Sequence, residues 1–349
     1  AIQDFGNGII GVDSGYCRPG MAAYYLLRVG DQLAFLDTGT YHSVPGLLGL
    51  IQSFGLDPEQ VAYVIPTHVH LDHAGGAGTL LKRLPQAMLV AHPYASRHLI
   101  DPSKLEASAR AVYGDEKFEE MYGTLVPVPS ERVLVMEDGD TLDVGQRRLE
   151  FMDAPGHARH HFTVWDGQTR GWFTGDTFGL SYRELDTENG AFLFPTTTPI
   201  QFDPPALIAS VDRMMEKSPE NMYLTHFGRV QDVKRLADDM RDGVRWFVEL
   251  AERFGKSDDR TRRIDLEEPV PIYLLYWTAF LEEDGTLNFR RDVYGRDEAL
   301  RLALDEGLEA RWERHARAGR ALVSAIGAPP WTNWPLAIKS SLITPSRLA

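Results

Sequence analysis

Residues 67–76 read Thr-His-Val-His-Leu-Asp-His-Ala-Gly-Gly, which places three histidines and one aspartate within six positions. This run follows an apolar segment, 61–66, that is predicted to form a short buried strand. Because side chains alternate along an extended chain, His68 and His70 are expected to point the same way. Asp72 and His73 come one turn later and can face the same point. Imidazole and carboxylate groups suit zinc, iron or manganese, so the run predicts a metal site.

Three further candidate ligands each follow a predicted strand. His157 closes the sequence Ala-Pro-Gly-His after a strand at 148–152, and Asp176 follows Thr-Gly after a strand at 171–174. His226 follows Leu-Thr after a strand at 222–224. Sheet proteins often present functional groups in the loops that follow strands. The three residues are therefore predicted to join the histidine-rich run.

Together these residues predict a centre for two divalent metal ions. One ion is assigned His68, His70 and His157, and the other is assigned Asp72, His73 and His226. Asp176 is predicted to bridge the two ions with one oxygen on each. Two ions about 3.5–4 Å apart can share a water and lower its pKa, which favours hydrolysis. Zinc is the first expectation for the metal, and manganese and iron are the alternatives.

The wider pattern predicts a mixed α/β protein. Strands are expected at 22–29, 32–36, 87–91, 133–136 and 162–165 as well as at the sites above, and helices at 44–54, 206–217 and 230–254. Along the chain, a strand-rich part is followed by a helical part, and this succession occurs twice. The pattern favours two packed sheets with helices outside. A polar break at 255–259 divides a catalytic domain, 1–255, from an extension of unknown role, 256–349, which is expected to be partly helical.

The order His-x-His-x-Asp-His, then Pro-Gly-His, Gly-Asp and Thr-His resembles the metallo-β-lactamase superfamily over residues 8–230. The resemblance implies an αββα sandwich with the site at the edge between its sheets. The seven ligands match the glyoxalase II and lactonase type of site. The resemblance also implies that Asp37 and His161 orient the ligands without binding metal themselves. Flavodiiron proteins differ, because they carry glutamate where this chain has His70.

The resemblance implies a hydrolase that attacks a small ester, thioester or lactone with a metal-bridging hydroxide. Asp72 and Asp176 are the predicted catalytic residues, with Asp72 as ligand and proton acceptor. Two alternatives remain open. One is a mononuclear iron dioxygenase that acts on persulfides with His68, His157 and Asp176 as ligands. The other is a ligand-sensing protein with a vestigial site.

The substrate is less well defined by the sequence. Lactonases of the superfamily carry a tyrosine three residues after the bridging aspartate, where this chain has Gly179, and Tyr182 lies three residues further on. Phe178, Phe192 and Phe194 are candidates for a substrate pocket together with Tyr182, although closing the sandwich core is the favoured role for the three phenylalanines. His160 is expected to point outward.

Composition limits the classes of molecule that the protein is expected to bind and its expected location. The formal net charge is -14, which disfavours nucleic acid and leaves a small molecule as the expected partner. Since no apolar stretch reaches the roughly 20 residues of a membrane span, a soluble protein is expected. One cysteine, Cys17, and an opening without a signal-peptide pattern favour the cytoplasm. The oligomeric state stays open, with a homodimer among the alternatives.

Residues 264–299 carry a second resemblance. Their Pro-Ile-Tyr-Leu-Leu-Tyr-Trp and Asp-Val-Tyr-Gly-Arg-Asp segments resemble the C-terminal end of L,D-transpeptidase domains. The catalytic cysteine of that family has no counterpart here, because Cys17 lies far upstream. The resemblance therefore implies no cell-wall activity.

Overall fold

The structure of the protein is a computed structural model that describes residues 2–186, 190–196, 201–254, 280–281 and 287–288. Residue contacts divide the chain into two units, Ala1–Arg183 with Ala191–Arg245, and Glu184–Gly190 with Trp246–Ala349. Of the predicted extension, 256–349, the described part is a short antiparallel pair, Phe280–Leu281 with Leu287–Asn288. The rest of the extension, and most of the transpeptidase-like segment, lies outside the described residues, so the domain boundary stays a prediction.

The first sheet of the larger unit contains seven strands that lie side by side in chain order. They are β1 (Ile2–Asp4), β2 (Ile9–Asp13), β3 (Ala23–Val29), β4 (Gln32–Leu36), β5 (Val61–Ile65), β6 (Met88–Ala91) and β7 (Val133–Val135). The first four strands pair antiparallel, and β4 to β7 pair parallel. Parallel neighbours need crossover connections, and helices occupy those connections.

The second sheet contains six strands in the order β13-β12-β11-β10-β9-β8. They are β8 (Thr141–Val144), β9 (Arg147–Asp153), β10 (Phe162–Asp166), β11 (Gly171–Gly175), β12 (Asn221–Leu224) and β13 (Gly228–Val230). Strands β11 and β12 pair parallel, and the other neighbours pair antiparallel. The carboxyl ends of β11 and β12 therefore lie at one edge of the sheet.

The described residues contain eight α-helices. They are α1 (Val44–Ser53), α2 (Leu71–Ala74), α3 (Ala77–Leu81), α4 (Pro93–Ile100), α5 (Ser103–Tyr113), α6 (Asp115–Met121), α7 (Pro204–Glu216) and α8 (Val233–Phe254). Helices α1 and α3 pack on the outer face of the first sheet, and α7 and α8 pack on the outer face of the second. Within the described part of the chain, every helix is too short or too polar to cross a membrane.

Three apolar layers result from this arrangement. The middle layer joins the two sheets, with Tyr25 from β3 packed edge-to-face on Phe173 from β11 at a centroid distance of 5.4 Å. The outer layers contain Leu26 beneath α1 and Trp172 beneath α7. Because adjacent residues of β3 enter different layers, the strand is apolar on both faces. The predicted αββα sandwich is confirmed.

The sequence pattern missed strands β1, β2, β8 and β13. Strand β2 contains Gly11, which weakens a strand signal, and β8 has only four residues. The predicted helix at 230–254 begins three residues later, because Gly228–Val230 pairs with β12 as an edge strand. These short elements are held by pairing with neighbours, which a local pattern does not record.

A buried ion pair connects the second sheet to the first. The Arg147 side chain donates from Nε to Asp166 Oδ1 at 2.9 Å, and both side chains are nearly fully buried. Arg147 also donates to the carbonyl of Asn7, in the turn between β1 and β2. One guanidinium therefore joins β9, β10 and the first sheet.

Replacement of Asp166 with alanine is expected to lower the free energy of unfolding by about 3–5 kcal/mol, because it leaves Arg147 charged and unpaired in the interior. Chemical denaturation measures this loss. The matched control is Asp143→Ala, which removes the exposed partner of Arg148 and should leave stability nearly unchanged. Equal effects of the two substitutions would contradict the assigned role of the buried pair.

Candidate metal centre

Seven side chains meet at the edge where the two sheets present their loops. His68 and His70 lie in the loop after β5, and Asp72 and His73 lie on α2. His157 lies between β9 and β10, Asp176 directly follows β11, and His226 lies two residues after the end of β12. The first sheet thus supplies four of the predicted ligands and the second supplies three.

Four of these residues form a first group, which we call group 1: His68, His70, His157 and Asp176. Each offers one ligand atom, and these atoms all lie within 4.8 Å of one another. His70 Nδ1 lies 2.7 Å from His68 Nε2 and 3.0 Å from His157 Nε2. Three ring nitrogens therefore converge on one small volume.

The other three residues, Asp72, His73 and His226, form group 2 by the same criterion. His226 Nε2 lies 3.3 Å from Asp72 Oδ2, and His73 Nε2 lies 3.8 Å from the same oxygen. The division into groups 1 and 2 follows the assignment of ligands made from the sequence.

Asp176 lies between the two groups. Its Oδ2 is 3.3 Å from His157 Nε2 in group 1. Its Oδ1 is 3.2 Å from His73 Nε2 and 3.6 Å from His226 Nε2 in group 2. One carboxylate oxygen thus faces each group, which is the arrangement a bridging ligand needs.

Two buried atoms of the centre lack hydrogen-bond partners, namely His73 Nε2 and Asp176 Oδ1. The proton of His73 is directed elsewhere, since its Nδ1 lies 2.8 Å from Asp37 Oδ2. His73 Nε2 and the carboxylate oxygen that faces it therefore need either a second proton on the ring or a cation between them. The residues fit a divalent metal ion at this point.

Asp37 organises the residues around the centre. It follows β4, and its Oδ1 accepts hydrogen bonds from the backbone N–H and hydroxyl of Thr67 at 2.7 and 2.9 Å. Its Oδ2 accepts from His73 Nδ1 and from the Thr225 hydroxyl at 2.6 Å. Asp37 thus acts on the centre through the His73 ring: it holds Nδ1, and the opposite nitrogen, Nε2, faces the centre. This is expected of a residue that orients ligands.

Two other ligand rings are oriented in the same way. The Thr196 hydroxyl donates to the carbonyl of Asp176 at 3.3 Å, so it accepts from His157 Nδ1 at 2.7 Å. The carbonyl of Met21 accepts from His226 Nδ1 at 2.7 Å. With Nδ1 held by these acceptors, both rings present Nε2 to the centre.

His161 acts on Asp176 through the backbone. Its Nε2 accepts a hydrogen bond from the Asp176 N–H at 3.1 Å, and its Nδ1 lies 3.2 Å from the Thr177 hydroxyl. This close packing requires Gly175, because a Cβ there would lie 2.5 Å from His161 Nε2. His161 therefore positions Asp176 and offers no nitrogen to a metal.

The pKa values of the centre divide its histidines into two sets, because burial dominates at some rings and nearby carboxylates dominate at others. Burial lowers the pKa of His157 to about 3 and holds that of His68 well below its usual value, so both rings are neutral. Burial opposes ionisation of Asp176, but the nearby imidazoles, His73 foremost, hold its pKa well below the usual range. Burial likewise opposes the charge on His73, yet Asp176 and Asp37 raise its pKa well above normal. A metal cation would satisfy the same negative field.

The predicted pocket residues differ in their placement. Phe178 is fully buried in the apolar layer beneath α7 and α8, so it belongs to the core and does not line an open pocket. Phe192 and Phe194 are half-buried, with ring centroids 5.8 Å apart. Tyr182 is half-buried beneath the Arg18 guanidinium, which lies 5.2 Å from its ring centroid. A side chain at position 179 would not fit, since its Cβ would lie 2.4 Å from the carbonyl oxygen of Phe194.

Sequence reasoning missed three residues near the centre and misplaced a fourth. Thr67 and Thr225 each precede a ligand histidine, and this repeated Thr-His pair was a usable signal. Thr196 lies 39 positions from the ring that it contacts, so no local pattern indicated it. The prediction that His160 points outward is wrong, because the residue is only 7% exposed and its ring lies 5.4 Å from that of His70.

The αββα sandwich with a cluster of histidine and aspartate at its edge defines a class of metal-binding fold. The chain belongs to the metallo-beta-lactamase superfamily, whose family model matches residues 17–226. Most members of this superfamily are hydrolases.

Individual relatives agree with this assignment. A metallo-beta-lactamase fold-containing protein from Sulfurisphaera tokodaii is 29% identical over 61% of this chain and 75% of its own length. An acyl-coenzyme A thioesterase from Homo sapiens is 28% identical over 50% of this chain and 65% of its own length. The crystal structure of an archaeal superfamily protein from Sulfolobus tokodaii superposes with a TM-score of 0.55 and 27% identity, covering 68% of this chain and 86% of that one.

Replacement of Asp37 with asparagine is expected to weaken zinc binding about 10- to 100-fold, the range typical of residues that orient ligands. The amide nitrogen would be a donor where the carboxylate accepts from His73 and Thr225. Competition with a chromophoric chelator measures the change. Asp57→Asn is the matched control, because Asp57 is an exposed helix cap and asparagine caps equally well. An unchanged zinc affinity in Asp37→Asn would contradict the role assigned to Asp37.

Proposed function

We propose that this protein is a dinuclear metal-dependent hydrolase that cleaves a small ester, thioester or lactone. The observation that carries the proposal is the position of Asp176, with one buried carboxylate oxygen toward each group. Such a carboxylate is suited to two ions, since a single ion would leave the other oxygen and its facing imidazole without a partner. This geometry supports a two-ion centre over a mononuclear one.

In the proposal, group 1 holds one ion, group 2 holds the other, and Asp176 contributes to both. When bound, the ions supply Lewis acidity, which lowers the pKa of water and polarises a substrate carbonyl. Zinc is proposed first because imidazole-rich sites suit it, with manganese and iron as alternatives.

Asp72 is the residue of group 2 that a substrate can reach. Its side chain is 20% exposed, whereas those of Asp176 and His73 are 8% and 0% exposed. Although burial opposes its charge, His73 and His226 hold its pKa below the usual range, so Asp72 is ionised at neutral pH. An ionised carboxylate at the open side can accept a hydrogen bond from the attacking water and orient it.

Three observations support the proposed substrate class. The human relative named above is an acyl-coenzyme A thioesterase, which makes acyl thioesters the first class to test. The formal net charge of -14 disfavours nucleic acid as a substrate. Half-buried Phe192 and Phe194 offer apolar surface suited to an acyl chain. A cytoplasmic location and a homodimer stay predictions.

Metal analysis should find about two zinc or manganese ions per chain after reconstitution. Elemental analysis of purified protein measures this number beside turnover of thioesters, esters and lactones. About one iron per chain together with oxygen uptake on persulfides would instead support the mononuclear dioxygenase. Metal binding without any turnover would support the sensor.

Asp176→Asn is expected to lower turnover by more than about 100-fold, beyond the loss typical of residues that only orient ligands. The amide keeps one oxygen but loses the charge and the second acceptor, so it cannot serve both groups. Steady-state kinetics and metal content measure the effect.

The matched control is Asp153→Asn, the same change in a carboxylate at the end of a strand, β9, that is 42% exposed and faces His92. This variant should keep its metal content and rate. Full activity of Asp176→Asn with two ions bound would contradict the proposed mechanism.

A further inference from the structure

The loop at 14–22, between β2 and β3, is closed on itself by Asp13, the last residue of β2. Asp13 follows the apolar part of β2, and its Oδ1 accepts from the N–H of Gly15 at 3.0 Å. Its Oδ2 accepts from the N–H of Gly20 at 2.8 Å, which joins the far end of the loop to its start. The hydroxyl of Ser43 donates to the carbonyl of Ser14 at 2.9 Å. The loop is therefore built to hold its side chains in place.

This loop lies against group 2. The carbonyl of Met21, at its end, accepts the hydrogen bond from His226 Nδ1. Tyr16, in its middle, packs against an apolar cluster that contains Leu71 and Tyr122. Leu71 is the residue between the ligands His70 and Asp72. The loop therefore contacts group 2 directly through Met21, and through Tyr16 it packs against the residue that precedes Asp72.

Tyr16 and Tyr122 form a pair of phenols beside this group. Their hydroxyl oxygens lie 3.1 Å apart, and their rings stack at a centroid distance of 6.0 Å and an angle of 26°. Burial raises the pKa of both phenols well above the usual value, and the Asp72 carboxylate raises it further. Both hydroxyls are thus protonated at neutral pH and can act as donors.

One proton of the pair is available to a third atom. Two hydroxyls need only one proton for the hydrogen bond between them. A substrate oxygen that carries developing negative charge is an acceptor to which this second proton can be donated.

We propose that Tyr16 is a further catalytic residue, which donates a hydrogen bond to the substrate oxygen that becomes negative beside group 2, and that Tyr122 positions it. The inference rests on the proposed hydrolase function and adds a residue to it. Tyr16 keeps its proton throughout, so no bond to that proton breaks. Preorganised donors of this kind act mainly on the transition state, which predicts an effect on kcat and little on KM.

The test compares Tyr16→Phe, Tyr122→Phe and Tyr94→Phe in the zinc-loaded full chain. Tyr94 is a 61% exposed phenol on α4 and serves as the matched control. Tyr16→Phe should lower kcat on an acyl thioester roughly 100-fold. Tyr122→Phe should lower it less, because Tyr16 keeps its hydroxyl, and Tyr94→Phe should not change it. Zinc content should be equal in all four proteins.

A second measurement does not depend on turnover. A trifluoromethyl ketone analogue of the thioester offers an oxyanion, whereas the matching thioether offers none. Calorimetry should show that Tyr16→Phe weakens binding of the ketone by roughly the factor seen in kcat and leaves binding of the thioether unchanged.

The outcomes separate the inference from the function on which it rests. If the wild type turns over and Tyr16→Phe matches Tyr94→Phe in both measurements, the inference is wrong and the hydrolase stands. Loss of zinc in Tyr16→Phe would also overturn it, because the role would then be structural. If the wild type hydrolyses no thioester, ester or lactone, the proposed function fails and the inference fails with it.

Discussion

The buried carboxylate of Asp37 is the constraint on which the centre depends. It accepts four hydrogen bonds, from two groups of Thr67, from His73 and from Thr225. Thr67 follows β5 of the first sheet, Thr225 follows β12 of the second sheet, and His73 lies on α2. A charge removed from water is tolerated only when such bonds replace its hydration. The hydrogen bonds to Asp37 therefore form only when the edges of the two sheets lie together, and they hold those edges in contact.

Contacts of this kind hold several of the candidate ligand rings in place. Asp37 has a φ of +57°, a left-handed conformation that aspartate adopts more readily than most residues. The sharp turn directs its carboxylate back across the end of β5, toward His73. Threonine, aspartate and backbone carbonyls then set the proton position on the rings of His73, His157 and His226. A preorganised site loses less conformational entropy on binding.

The sequence allowed the sandwich and the convergence of seven residues to be predicted, because the ligands follow strands and strand ends share an edge. It did not allow the neighbours of those ligands to be predicted. Thr196 reaches His157 across 39 positions, and the burial of His160 depends on packing against another loop. Phe178 shows the same limit, since aromatic residues beside a site have the same pattern whether they line a pocket or fill a core. Long-range packing decides these cases.

Both groups take residues from early and late parts of the chain. Group 1 combines His68 and His70 with His157 and Asp176, and group 2 pairs Asp72 and His73 with His226. During synthesis, the first group is complete once residue 176 has left the ribosome, whereas the second awaits residue 226. A nascent chain thus cannot present both groups until residue 226 has emerged, when most of the sandwich has been translated.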